Sequence, residues 1–132
     1  GESNKIEPGK RPLSSMSPTI VFQGGKPWLA TGSPGGSVII TTVLQTVLNA
    51  MEFDMNVATA AAEPRIHHQW QPDALQMEEG FSPDTVRLLK DMGQVVNIAE
   101  RTTGRTNSIM LEEGWLLGST DTRRPGGWVA GY

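Results

Sequence analysis

The sequence predicts an α+β domain, a mixed sheet with hairpins whose helices are grouped rather than interleaved with strands. Three observations carry this. Two short β-forming runs, residues 19–23 and 28–31, flank Gly24-Gly25, a hairpin signal. One long stretch, 38–51, has apolar residues at 39, 40, 43, 44, 47, 48 and 51, which is helical spacing. The last third returns to strand-forming runs, two of them joined by Glu112-Glu113-Gly114. The strict strand–helix alternation that a doubly wound sheet needs is not there.

Taken in order, residues 1–12 (GESNKIEPGKRP) are polar and Gly/Pro-punctuated, and predict an exposed lead-in. The hairpin follows, then the stretch TGSPGGS at 31–37, with a helix starting at about Ser37. The second face of that helix, Thr41, Thr42, Gln45, Thr46 and Asn49, carries no charge, so protein is expected to cover it on both sides. Asn56 is a good N-cap for a short helix through VATAAAE, which Pro64 ends. RIHHQW (65–70) reads as a strand. FSPDTVRLLKDMG is the best-punctuated helix: Ser82 caps it, Pro83 and Asp84 suit its first turn, and Gly93 ends it. Val86, Leu88, Leu89 and Met92 are its expected buried stripe. Strands are expected at 94–99, 108–111 and 115–119, with an irregular tail over 120–132. Residues 1–132 are expected to be one modest domain or a piece of a larger one.

Length and charge narrow the function. A chain of 132 residues buries one core. A net charge of −3, a pI near 5.3 and no basic run beyond Lys10-Arg11 or Arg123-Arg124 argue against a nucleic-acid partner. No cysteine is present, which excludes disulfides and thiolate metal sites and leaves the redox compartment open. No apolar run is long enough to cross a bilayer. The chain starts at Gly1, with neither Met nor a signal peptide, so a cut or processed end is expected.

Residue by residue, the chemistry stays open. Gly32, Gly35 and Gly36 leave main-chain N–H groups accessible just before a helix N-terminus, an arrangement that favours negative charge. The phosphate-loop pattern fails because no Lys follows Gly36, and GxGxxG fails on spacing. A tight turn needing positive φ explains the same glycines. Ser14-Ser15 could hold a carboxylate or cap a turn, and no Ser-x-x-Lys supports a serine nucleophile. His67-His68 would point to opposite faces of a strand, which favours packing over metal binding. Glu78-Glu79 and Glu112-Glu113 read as solvated loop charge. Trp28, Trp70, Trp115 and Trp128 read as core and interface anchors. No metal or cofactor is expected.

Three motifs in order, KRPLSSMSPTI, TGSPGGSVIITTVLQTVLNAM and PRIHHQWQPDAL, strongly resemble γ-glutamyltranspeptidases of the bacterial type. The match is to the C-terminal part of their small subunit and runs from about Lys10 to the closing AGY. The resemblance implies an N-terminal-nucleophile hydrolase with an αββα sandwich, made as a proenzyme that cleaves itself into large and small subunits. In that family the new N-terminal Thr attacks the γ-glutamyl carbonyl of glutathione-like compounds. Water or an amino acid or peptide amine then resolves the acyl-enzyme.

Carried over by motif, Ser14 and Ser15 match the pair that binds the α-carboxylate of the γ-glutamyl group. Gly35 and Gly36 match the glycines whose N–H groups form the oxyanion hole. The nucleophilic Thr and the residues that grip the α-amino group lie upstream of these motifs. The chain alone is therefore expected to be inactive. Its implied partners are the large subunit, the N-terminal part of the small subunit and a γ-glutamyl small molecule, with periplasmic or extracellular placement. A glutaryl-type acylase of the same superfamily and a non-catalytic domain derived from the fold remain as alternatives. One departure stands out: the family's Asp-Pro-Arg near the C-terminus is here Asp121-Thr122-Arg123, followed by Arg124-Pro125-Gly126-Gly127.

Overall fold

The computed structural model describes residues 2–99, 104–123 and 125–131. The α+β expectation holds. Strands β1 (Thr19–Gln23) and β2 (Lys26–Gly32) form the first hairpin. Its turn has Gly24 at φ 57° and Gly25 at φ 77°, the left-handed pair that matches strand twist. Helix α1 spans Val38–Glu52 and α2 spans Val57–Ala62, where the Asn56 side chain accepts from Ala58 and Thr59 N–H. Then come β3 (Ile66–His67), β4 (Leu75–Glu78), α3 (Pro83–Asp91), β5 (Val96–Ala99), β6 (Asn107–Glu112) and β7 (Trp115–Thr120). The strands make two sheets: an antiparallel one ordered β1-β2-β6-β7, and a mixed one ordered β3-β4-β5 with β4 and β5 parallel.

The core is small. Leu29, Ala50, Val57, Ala60 and Met110 cluster between the antiparallel sheet and helices α1 and α2, with Val21, Trp28, Val47, Met55 and Leu117 against them. The β6–β7 turn places Glu113 at φ 49° and Gly114 at φ 84°, as its sequence predicts.

Three expectations need correction. The strand read at 65–70 is only Ile66–His67, because the chain turns at His68–Gln71 through local side-chain bonds. Strand β4 was not foreseen, and on it Glu78 is buried rather than solvated, while Glu79 is exposed. Of the tryptophans read as core and interface anchors, Trp28 packs on the core and Trp70, Trp115 and Trp128 are exposed. No residue of α3 is buried, and Leu88 and Met92 of its apolar stripe face outward.

Helix α1 also turns differently from its hydropathy. Ile39, Thr42, Val43, Thr46 and Ala50 are buried, whereas Ile40, Leu44, Leu48 and Met51 are exposed. The uncharged polar face is drawn inward by hydrogen bonds: Thr46 Oγ1 donates to the Thr42 carbonyl, and the Gln45 amide bonds both main-chain groups of Ile66. Gly104 passes so close that a Cβ there would collide with the Thr42 hydroxyl.

Candidate functional site

Strand register gathers the motifs at one end of the antiparallel sheet. Thr19 pairs with Thr31, so the residues before β1 and those after β2 leave the hairpin at the same end. Ser14-Ser15 and the Gly35-Gly36 turn therefore share that end. Gly32 pairs with Asn107, and Asn107 with Thr120, which brings residues 104–106 and Asp121–Arg123 there too.

The turn is braced at its base. Ser33 Oγ accepts from Arg105 N–H at 2.8 Å and donates to the Pro34 carbonyl at 2.7 Å. Gly35 has φ 142° and Gly36 φ 61°, both in the region that favours glycine. Their carbonyls accept from Val38 N–H at 3.3 Å and Ile39 N–H at 3.2 Å, opening helix α1. No described residue accepts from the N–H of either glycine. Two main-chain donors thus stand free at the positive end of a 15-residue helix, where negative charge is favoured.

The serines are ordered by local bonds. Ser14 Oγ accepts from Met16 N–H at 3.2 Å, which leaves its own proton to donate. The Ser15 carbonyl accepts from Ser17 Oγ at 3.1 Å, and the Ser17 carbonyl from Thr19 Oγ1 at 3.2 Å. Ser14 is exposed and Ser15 half-buried. A hydroxyl held in this way can offer a hydrogen bond to a carboxylate.

Beside this open end lies a closed ionic cluster that sequence reasoning missed. Arg65, buried, pairs with Asp121 at 2.8 Å and donates to the Ala61 carbonyl at 2.7 Å. Arg123 grips Glu78 at 2.7 Å and Asp121 at 3.1 Å, and donates to the carbonyls of Ala61, Ala62 and Glu63 at the C-terminal end of α2. Glu78 also accepts from Arg65 N–H at 2.9 Å, and Asp121 from Thr106 N–H at 3.2 Å. Burial pushes the Asp121 carboxyl up, but the Arg123 N–H and the two guanidiniums outweigh it and hold the group below its ordinary 3.8. Burial lowers Arg65, reinforced by Arg123; burial also works against Arg123, but Glu78 and Asp121 raise it above its ordinary value. The one sequence signal was that Arg65 and Asp121 each abut a strand-like run; Glu78 had none.

The two histidines have different surroundings, since His67 closes β3 and His68 begins the turn after it. His67 is buried and meets Thr41 Oγ1 through Nδ1 at 2.8 Å, whereas His68 faces solvent beside Asp73 at 3.1 Å. Among the described residues no group of three His, Cys, Asp or Glu could hold a metal ion. An open groove of about 950 Å³ runs over the outer face of the antiparallel sheet, between Ile20, Ile109 and Leu116 and the tail residues Trp128 and Val129. Among the described residues, no titratable side chain lines it. No described helix is long and apolar enough to cross a membrane.

Comparison with known proteins fits this arrangement. The family profile for Gamma-glutamyltranspeptidase matches residues 1–131. The chain is 56% identical over 133 residues to the glutathione hydrolase proenzyme of Escherichia coli (strain K12), covering all of this chain and 23% of that protein. It is 40% identical over 128 residues to the glutathione hydrolase proenzyme of Bacillus subtilis (strain 168), covering 96% of this chain and 22% of that one. The chain therefore spans about a quarter or less of the length of these relatives. Among solved structures it superposes on an acivicin-inhibited gamma-glutamyltranspeptidase, whose C-terminus has critical roles in autoprocessing and catalysis. That match has a TM-score of 0.86 and 44% identity, over 96% of this chain and 69% of that chain. The fold is accordingly part of an N-terminal-nucleophile hydrolase, and the chain belongs to the gamma-glutamyltranspeptidase family.

Proposed function

We propose that this chain is the C-terminal segment of the small subunit of an enzyme that cleaves γ-glutamyl bonds. The enzyme passes the γ-glutamyl group of glutathione and related compounds to water or to an amino acid or peptide amine. One observation carries the reading: the free N–H groups of Gly35 and Gly36 open a helix at the same sheet end as Ser14-Ser15. A γ-glutamyl donor needs both parts. Its α-carboxylate is a permanent charge, to be oriented by the serine hydroxyls. Its scissile carbonyl becomes an oxyanion only in transit, and aimed main-chain donors stabilise that charge by about 3–4 kcal/mol each.

In this reading a Thr upstream of the segment, at the start of the small subunit, attacks the γ-carbonyl carbon, and its proton passes to its own α-amine. The resulting oxyanion faces the Gly35 and Gly36 N–H groups. Collapse expels the leaving amine, which takes up a proton, and water or an acceptor amine then attacks the acyl-enzyme. The large subunit and the upstream part of the small subunit complete the site, and the enzyme works in the periplasm or outside the cell.

The test has two arms. The 132-residue chain alone is expected to give no turnover of a γ-glutamyl anilide; clear turnover overturns the reading. In a processed enzyme of full family length carrying this segment, Gly35→Ala should lower kcat by about 10²–10³ with little change in KM. Ala cannot readily hold φ 142°, so the peptide plane carrying the Gly36 N–H must turn. Native kcat in that variant would count against the role of the turn.

A further inference from the structure

We propose that His67 and Gln69 are positioning residues that hold the Gly35-Gly36 turn in register, a role that rests on the oxyanion reading above. Helix α1 begins without the usual help. Ser37 is its N-cap residue, yet its side chain makes no cap bond. Its hydroxyl instead donates to Gln69 Oε1 at 2.6 Å. Gln69 Nε2 donates to the Gln71 carbonyl at 3.0 Å, which fixes the amide orientation. The same Oε1 meets His67 Nε2 at 3.1 Å, and His67 Nδ1 meets Thr41 Oγ1 at 2.8 Å.

Ser37, Thr41 and Gln45 are spaced four apart and therefore stack along one face of α1. All three bond to the segment 66–69, since the Gln45 amide accepts from Ile66 N–H at 2.9 Å and donates to its carbonyl at 2.8 Å. His67 is buried and paired with Gln76 across the β3–β4 ladder, so the segment is itself anchored. The first turn of α1 is fastened to a sheet rather than capped by its own residues. Gly36 is the next residue before Ser37, so its N–H direction follows that fastening.

Proton bookkeeping agrees with a permanent contact. Neutral His67 must carry its proton on Nε2 to face Gln69 Oε1, and Nδ1 then accepts from the Thr41 hydroxyl.

An oxyanion donor that drifts costs transition-state stabilisation while leaving substrate binding nearly intact. The experiment measures γ-glutamyl anilide kinetics in the processed, full-length enzyme, with kcat normalised to titrated acyl-enzyme so that misfolded protein is not counted. His67→Ala and Gln69→Ala should each lower kcat about 10- to 100-fold with KM within about twofold. The double variant should be little worse than either single one, because both act through one chain of bonds. His67→Gln, which can restore a donor toward Gln69, should recover part of the loss. Unchanged kcat in His67→Ala and Gln69→Ala, or a rise in KM alone, would overturn the proposal. If Gly35→Ala lowers kcat while these variants do not, only the positioning role fails; if Gly35→Ala is also silent, the oxyanion reading fails with it.

Discussion

One end of the antiparallel sheet carries two polar constellations built on opposite plans. In the ionic cluster, Arg65, Glu78, Asp121 and Arg123 meet one another and the carbonyls ending α2. In the turn beside it, Gly35 and Gly36 spend their carbonyls on α1 and keep their N–H groups free, and Ser14 keeps a proton to give. Buried charge must be paired, or the desolvation cost is not recovered. A recognition surface must instead leave donors unspent until a ligand arrives. The two sets are mechanically linked, because Thr106 N–H bonds Asp121 and Arg105 N–H bonds Ser33 at the base of the turn. The closed cluster thus serves as a foundation for the open one.

That contrast can be broken from either side. The largest effect is expected from Arg65→Met, which removes one of the two cations paired with the buried Asp121 carboxylate. Removing one partner of a buried pair costs on the order of 3–5 kcal/mol, to be read from denaturant unfolding of the full-length protein; a loss below about 1 kcal/mol would show that the cluster is not a foundation. Ser14→Ala removes a hydroxyl from the open side, where the lost bond to a carboxylate is worth about 1–3 kcal/mol. It should raise KM for γ-glutamyl substrates and leave stability unaltered. Unchanged KM and kcat would remove Ser14 from the site.

The smallest effect is one of slope. The Asp121 carboxyl lies below its ordinary 3.8 in the folded chain, so its contribution is complete above that value and is lost as pH falls through the lower folded one. Asp121→Asn should therefore flatten the acid limb of the stability curve below about pH 4. An unaltered acid limb would mean that Asp121 is not what titrates there.

Local signals made much of the fold legible. Asn56 and Ser82 are caps, Gly24-Gly25 and Glu113-Gly114 are left-handed turns, and the elements between them fall close to where the pattern puts them. What stayed hidden is non-local. Glu78 sits in LQME, a run too short and too polar to read as a strand, and its burial is explained by distant partners, the Arg123 guanidinium and Arg65 N–H. Hydropathy ranks Ile40 and Leu44 above Thr42 and Thr46, but the hydrogen bonds to β3 and the close passage of Gly104 put the uncharged face inward, and only the folded chain supplies those partners. From residue types alone the glycines fitted a tight turn equally well; their proposed role came from the resemblance, and the register adds that they share a sheet end with Ser14-Ser15.

The central claim is that the Gly35 and Gly36 N–H groups face the reacting carbonyl. It is tested most directly by the infrared stretch of an isotope-labelled γ-glutamyl acyl-enzyme, trapped in the processed full-length enzyme and in its Gly35→Ala variant. Two aimed donors should lower the carbonyl frequency in the native enzyme, and the variant should return it toward the value of a free ester. The same frequency in both would contradict the account.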